Sequence, residues 1–250
     1  SMIIALLKRR LWLWQNQFLS LLVLFLIFPI AIFSLLDLSM RNIFIQSLGN
    51  IPYDQWAFPG IVAIIGSLVI FPPIYRDFFH LRVHGKVLKT VALAPFTKRS
   101  MVISFLGIAV LEALIISIGT SILFVNIIST GFTIGDLLIL YFFLAILFCL
   151  IGNLFISMAL WIESATSFLL ATFLTYFILV FGSGLIFELN YFPVSLEFIL
   201  SLFPFSILIK TMHLSLFANI FEWTIIVPLI LLIILWSAGN GLLLRKKLIQ

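Results

Sequence analysis

Charge is what this chain of 250 residues has least of: Asp, Glu, Lys and Arg make up 9% of it, against 64% hydrophobic residues. A soluble domain draws about a quarter of its residues from those four types, so an ordinary water-facing surface is excluded. Cysteine is almost missing as well. Cys149 stands alone in an apolar run, so no intramolecular disulfide can form. The sequence contains no GxxxxGK[ST], which removes the phosphate cradle of P-loop ATPases, and no HExxH zinc motif. Acids are outnumbered by Lys and Arg, nine to fourteen, for a net charge of +5. In a soluble protein that excess would point to nucleic acid. Here it reads as the positive-inside bias of membrane proteins, and no nucleic-acid partner is expected. Ser1 ahead of Met2 is set aside as the remnant of a tag.

What fills the chain instead is a series of long apolar runs. About 20 such residues, rising ~1.5 Å each, cross a hydrocarbon core of ~30 Å. Six spans are expected, at 18–36, 57–74, 101–128, 137–160, 167–187 and 223–244. The fold class is therefore an all-α polytopic membrane protein, with the whole chain, 1–250, forming one transmembrane domain. Pro29 is expected to kink the first span, Pro59 to sit in the first helical turn of the second, and Pro72 and Pro73 to end it. Residues 2–17 carry Lys8, Arg9 and Arg10 beside Trp12 and Trp14, the signature of an amphipathic helix lying among lipid headgroups. Residues 188–222 are apolar but broken by Pro193, Glu197 and Pro204, which predicts a re-entrant or interfacial hairpin on the outer side.

Counting cations orients the chain. Three precede the first span, six lie between the second and third, and three follow the sixth; only Arg41 and Lys210 fall in segments of the opposite side. That bias places both termini in the cytoplasm of a cell inner membrane.

Candidate chemistry is sparse. His80 and His84 are spaced for one helical face, yet neither a nearby cysteine nor a metalloprotease pattern joins them, so no metal is assigned. Ser183 within FGSG lacks an identifiable base, and the stretch reads as a helix end where backbones approach closely. Glu112 is different. It is the one ionisable residue well inside a span, costly in lipid and a functional candidate for that reason. It is expected about 18 Å along its helix, near mid-bilayer. Asn153 and Asn126 are the deep polar groups able to satisfy it, in a structural or a transport role.

The basic stretch 75–100 holds six of the fourteen cations against a single acid, Asp77. At 100° per residue Arg82, Lys86 and Lys89 share one face, while Val83, Val87 and Val91 lie on the side and back. Residues 81–93 therefore read as a short amphipathic helix ended by Pro95. It is suited to anionic lipid or to a partner protein.

The order of these parts resembles the permease subunit of type-two ABC exporters, over essentially the whole chain. The likeness rests on the basic N-terminal helix, on Pro59-Gly60 and on the segment Tyr75-Arg76-Asp77…Gly85-Lys86-Val87-Leu88…Ala94-Pro95-Phe96-Thr97. Ser183-Gly184-Leu185-Ile186-Phe187, Phe192-Pro193 and Phe203-Pro204-Phe205 complete it before the last span. The interval from Gly85 to Pro95 is one residue longer than the family's pattern, and Lys or apolar residues stand at its acidic positions. The resemblance implies that two copies form a pore, as a homodimer, and that a separate ATPase subunit binds each. ATP and Mg would then sit on that partner, with no cofactor in this chain. It also implies a coupling helix whose docking residues are Arg82, Val83, Lys86, Val87, Lys89 and Val91. No catalytic residue is expected. The cargo implied is a small amphiphile, lipid-like or lipid-linked. An intramembrane lipid-modifying enzyme, or a non-transporting immunity or scaffold protein, are the alternatives.

Overall fold

The computed structural model describes residues 2–16, 19, 23, 27–40, 42–43, 50–83, 97–127 and 131–249. Its elements are α1 (Met2–Asn16), α2 (Phe28–Met40), α3 (Tyr53–Ile74), α4 (Lys98–Ile127), α5 (Ile134–Trp161), α6 (Ala165–Gly182), α7 (Val194–Ser201), α8 (Pro204–Phe217) and α9 (Trp223–Ile249). Five helical stretches are long and apolar enough to cross a membrane: Tyr53–His80, Lys98–Asn126, Ile134–Trp161, Ala165–Gly182 and Trp223–Lys247. They correspond to the expected second to sixth spans. The expected first span is described only in part, and α2 with its 13 residues is too short to cross alone. Pro29 is the second residue of α2, and Ile27 ahead of that helix is also in helical backbone.

Several boundaries depart from the sequence reading. The helix of the second span starts at Tyr53, so Pro59 lies in its second turn and not its first. It also runs straight through Pro72 and Pro73. Neither proline can donate to the carbonyl four residues back. The chain accommodates this by widening into a π-helix at Tyr75–His80, before the short helical turn Leu81–Val83. Alpha-helix α6 stops at Gly182, five residues short of the expected end at Phe187. Gly184 has φ +89°, a conformation that glycine alone adopts freely, and turns the chain back into the bundle. There Leu185 and Ile186 are buried, and the Tyr53 hydroxyl donates to the Ile186 carbonyl at 2.7 Å.

The centre of the bundle is formed by α3, α4 and α5 in mutual contact, with α9 packed against α4 and α5. Small residues allow the close approaches. A Cβ on Gly66 would collide with Ser117 and Phe148, one on Gly152 with Leu106, and one on Gly241 would come within 3.0 Å of the Arg99 Cα. Helix α3 is the most enclosed of the long helices, while α6 and α9 lie outermost. Leu170, Phe173 and Leu174 of α6 and Leu231 and Leu235 of α9 stay exposed, as lipid-facing side chains do. Helices α7 and α8 meet at 89°, so the segment expected to be broken is a helix pair bent at a right angle.

The two ends of the bundle differ in charge. Asp54, Asp136, Glu188, Glu197 and Glu222 lie at one end with Lys210; Arg76, Arg82, Lys98, Arg99 and Arg245 to Lys247 lie at the other with Glu163. Helix direction alone produces this sorting, because α3, α4, α5 and α6 alternate.

Candidate functional site

Glu112 is buried on α4, 5% exposed, and its partner is neither Asn153 nor Asn126. Both of its oxygens accept from Arg10 of α1: Oε1 from Nε, and Oε2 from Nη2 at 2.7 Å. A bidentate guanidinium–carboxylate pair satisfies two acceptors and two donors at once, which a lone asparagine amide does not. The expected partners are engaged elsewhere. Asn126 donates to the Ile122 carbonyl of its own helix at 2.7 Å. Asn153 accepts from Ser237 at 3.1 Å and from Asn240 at 3.2 Å, both on α9.

This pairing also revises the picture of α1. Arg10 does not rest among headgroups; its side chain is 15% exposed and reaches into the bundle. The depth can be gauged from neighbouring helices. Phe78 packs edge-on against Phe105 with ring centres 5.3 Å apart. Glu112 lies seven residues beyond Phe105, about 10 Å deeper along α4. Nearer the basic end, Asp77 accepts two bonds from Arg76, at 2.9 and 3.0 Å, and lies 3.6 Å from Arg9 of α1. Two successive arginines of α1 thus meet acids on two different helices. Ile4, Leu11 and Trp12 of α1 remain exposed, on the same outward face as Lys8, Arg9 and Gln15.

At the basic end, Arg82 is turned into its own chain. Nη2 donates to the Ala159 carbonyl at 2.9 Å and to the Ile162 carbonyl at 2.7 Å, capping the C-terminus of α5. Nη1 lies 4.0 Å from Glu163. Burial holds the Arg82 guanidinium below the usual arginine range, and the Glu163 charge opposes that. Glu163 also accepts from Lys247 of α9 at 3.1 Å. That hydrogen bond, with the Lys247 and Arg82 charges, holds the Glu163 carboxyl below the ordinary carboxylate range. Val83 packs partly buried against the core. Arg82 and Val83, expected to face a partner, are both engaged within the chain here, Arg82 at the end of α5 and Val83 partly buried against the core. Lys86, Val87, Lys89 and Val91, with His84, lie outside the described residues.

A polar seam joins α5 to α9. Ser157 donates to Asn240 at 2.7 Å and accepts from Trp236 Nε1 at 2.8 Å; Asn240 in turn donates to the Asn153 carbonyl at 3.0 Å. The complementary bonds make Asn153 a helix–helix joint. Ser183, as the sequence implied, serves a helix end, donating to the Leu179 carbonyl.

One residue escaped the sequence reading. His213 of α8 stacks on Trp56 at 4.7 Å, and its ring nitrogens lie 3.2 Å from the Trp56 carbonyl and 3.1 Å from the Ile209 carbonyl. A lone histidine between apolar residues gives no signal of a partner 157 positions away. Among the described residues no group of His, Cys, Asp and Glu is arranged to hold a metal.

These features define an all-helical, membrane-embedded protein with a buried ion pair midway along α4 and a second arginine–carboxylate cluster nearer the basic end. No protein-family model, curated protein or solved structure matches the chain.

Proposed function

We propose that the chain is the membrane-spanning permease subunit of an ABC exporter in a cell inner membrane, both termini cytoplasmic. It would move a small amphiphile outward with ATP hydrolysed on a separate subunit. The observation that carries this reading is the polarity of the bundle among the described residues: a strongly basic end, to which 75–83 and 97–100 belong, opposite an acidic end with a right-angled helix pair. In this reading the docking face narrows to Lys86, Val87, Lys89 and Val91, with Arg82 and Val83 anchoring it to α5. A push on that segment is delivered directly to α3 and α5. The exposed apolar faces of α6 and α9 offer surface for a second copy and for lipid. The partner's nucleotide state shifts the bundle only by its differential affinity for two arrangements.

The test is co-expression with each P-loop ATPase of the source genome, neighbouring genes first, followed by co-purification. A complex with vanadate-sensitive ATP hydrolysis is expected, and K86E/K89E should lower its yield while membrane insertion persists. Failure of the wild-type pair to assemble overturns the proposal.

A further inference from the structure

The acidic end contains two cavities that meet at the bend between α7 and α8. One is a chamber of about 480 Å³ whose walls are mostly apolar but carry Glu188, Glu197 and Lys210 beside Trp56 and His213. The other is an apolar cleft of about 330 Å³ between α5, α6, α8 and α9, lined by Leu154, Thr175, Leu179, Leu200, Phe205 and Trp236. Ser183 and Ser206 line both, so the two adjoin on either side of the corner where the Ser206 hydroxyl donates to the Gly182 carbonyl at 3.4 Å. Both volumes fall in the usual range of ~300–1,000 Å³ for small-molecule sites.

The chemistry of the two spaces differs in a way that fits one kind of molecule. The chamber has two carboxylates, Glu188 and Glu197, against one ammonium, Lys210. The cleft offers almost wholly hydrocarbon, and exposed Ile178 and Phe203 lie along it, on surface that faces lipid in a membrane-spanning bundle. An acyl chain can therefore enter sideways, without leaving an apolar medium. A charged head can then settle in the chamber against Glu197 and Lys210, which offset its loss of water.

We propose that this corner is a binding site for a phospholipid with an ammonium headgroup. One acyl chain lies in the cleft, the phosphate is held by Lys210, and the ammonium is held by Glu197. The site lies within one copy of the chain and requires membrane insertion, but no ATPase and no transport.

The purified full chain, without any partner, is tested by native mass spectrometry after incubation with phosphatidylethanolamine or phosphatidylglycerol of identical acyl chains. Phosphatidylethanolamine should be retained about tenfold better, the ratio that one charge-assisted contact supplies. Glu197→Gln should bring it down to the phosphatidylglycerol level, Lys210→Gln should weaken both lipids, and Thr175→Trp, which fills the cleft, should weaken both. Thermal unfolding in detergent checks that each variant is folded. If Thr175→Trp fails that check, Ile178→Trp replaces it. Equal retention of the two lipids by the wild type, or ratios untouched by Glu197→Gln, would show an annular lipid only and overturn the site.

Discussion

Glu112 is tolerated among apolar helices because Arg10 answers both of its oxygens. Removing one member of a buried pair leaves an uncompensated charge, at a cost of about 3–5 kcal/mol, whereas replacing both by apolar groups is often neutral. Arg10→Met is therefore expected to destabilise the protein strongly, and R10M/E112L to recover most of that loss. Denaturant unfolding in detergent of both singles and the double measures the coupling; additive losses would rule the pair out as an energetic unit. Gly60 makes a second residue-scale prediction. A Cβ there would collide with the Leu185 carbonyl. Backbone cannot yield as a flexible side chain can, so Gly60→Ala should cost about 1–3 kcal/mol by the same assay, as overpacking does. Neither effect was legible from composition. The sequence marked Glu112 as costly and Gly60 as special, but Arg10 and Leu185 lie 102 and 125 positions away, and no periodic pattern couples residues at that range.

At the scale of elements, the basic end is tied together by short contacts from three helical pieces: Arg82 after the π-helix, Glu163 after α5, and Lys247 near the end of α9. The folded Glu163 carboxyl is depressed by its cationic neighbours. Its contribution is therefore present above the unfolded carboxylate range and is lost as pH falls through the lower, folded value. Protection of the last turns of α9 against hydrogen exchange, taken relative to the intrinsic amide rate at each pH, should fall on acidification through that window. Lys247→Ala should exchange fast at all pH values and lose the pH dependence; an unchanged profile would contradict the tie. Glu163 is fully accessible to salt, so the effect should also shrink at high ionic strength. The π-helix belongs to this scale as well. Pro72-Pro73 announced a disturbance of the helix, and local rules favoured a stop. Continuation won because the flanking residues, Ile70, Ile74, Phe78 and Phe79, are all buried by neighbouring helices, which hold the backbone helical across the missing donors.

For the whole molecule, the charge separation of the two ends predicts orientation. In a Cys149→Ala background, cysteines placed at Lys98 and Lys247 should be reached by a membrane-impermeant thiol reagent only after the cytoplasmic side is opened. A cysteine at Asn190 should be labelled from outside on intact cells. Labelling of all three from one side would reverse or break the topology and, with it, the proposed direction of transport. Cys149 is half-buried in α5 and must be removed to keep the readout clean.

The sequence by itself determined that this is a helical membrane protein, where its long helices lie to within a few residues, and which end collects the cations. Those properties follow from hydrocarbon thickness and helical rise, which act on contiguous residues and leave a contiguous trace. It also signalled the broken segment before the last helix, through two prolines and a glutamate. Only the tertiary structure decided who answers the buried carboxylate, why Arg82 faces inward, and that a chamber bearing charged groups and an apolar cleft adjoin at one corner. Each of those depends on which helix faces meet, and facing is set by packing between segments distant in the chain.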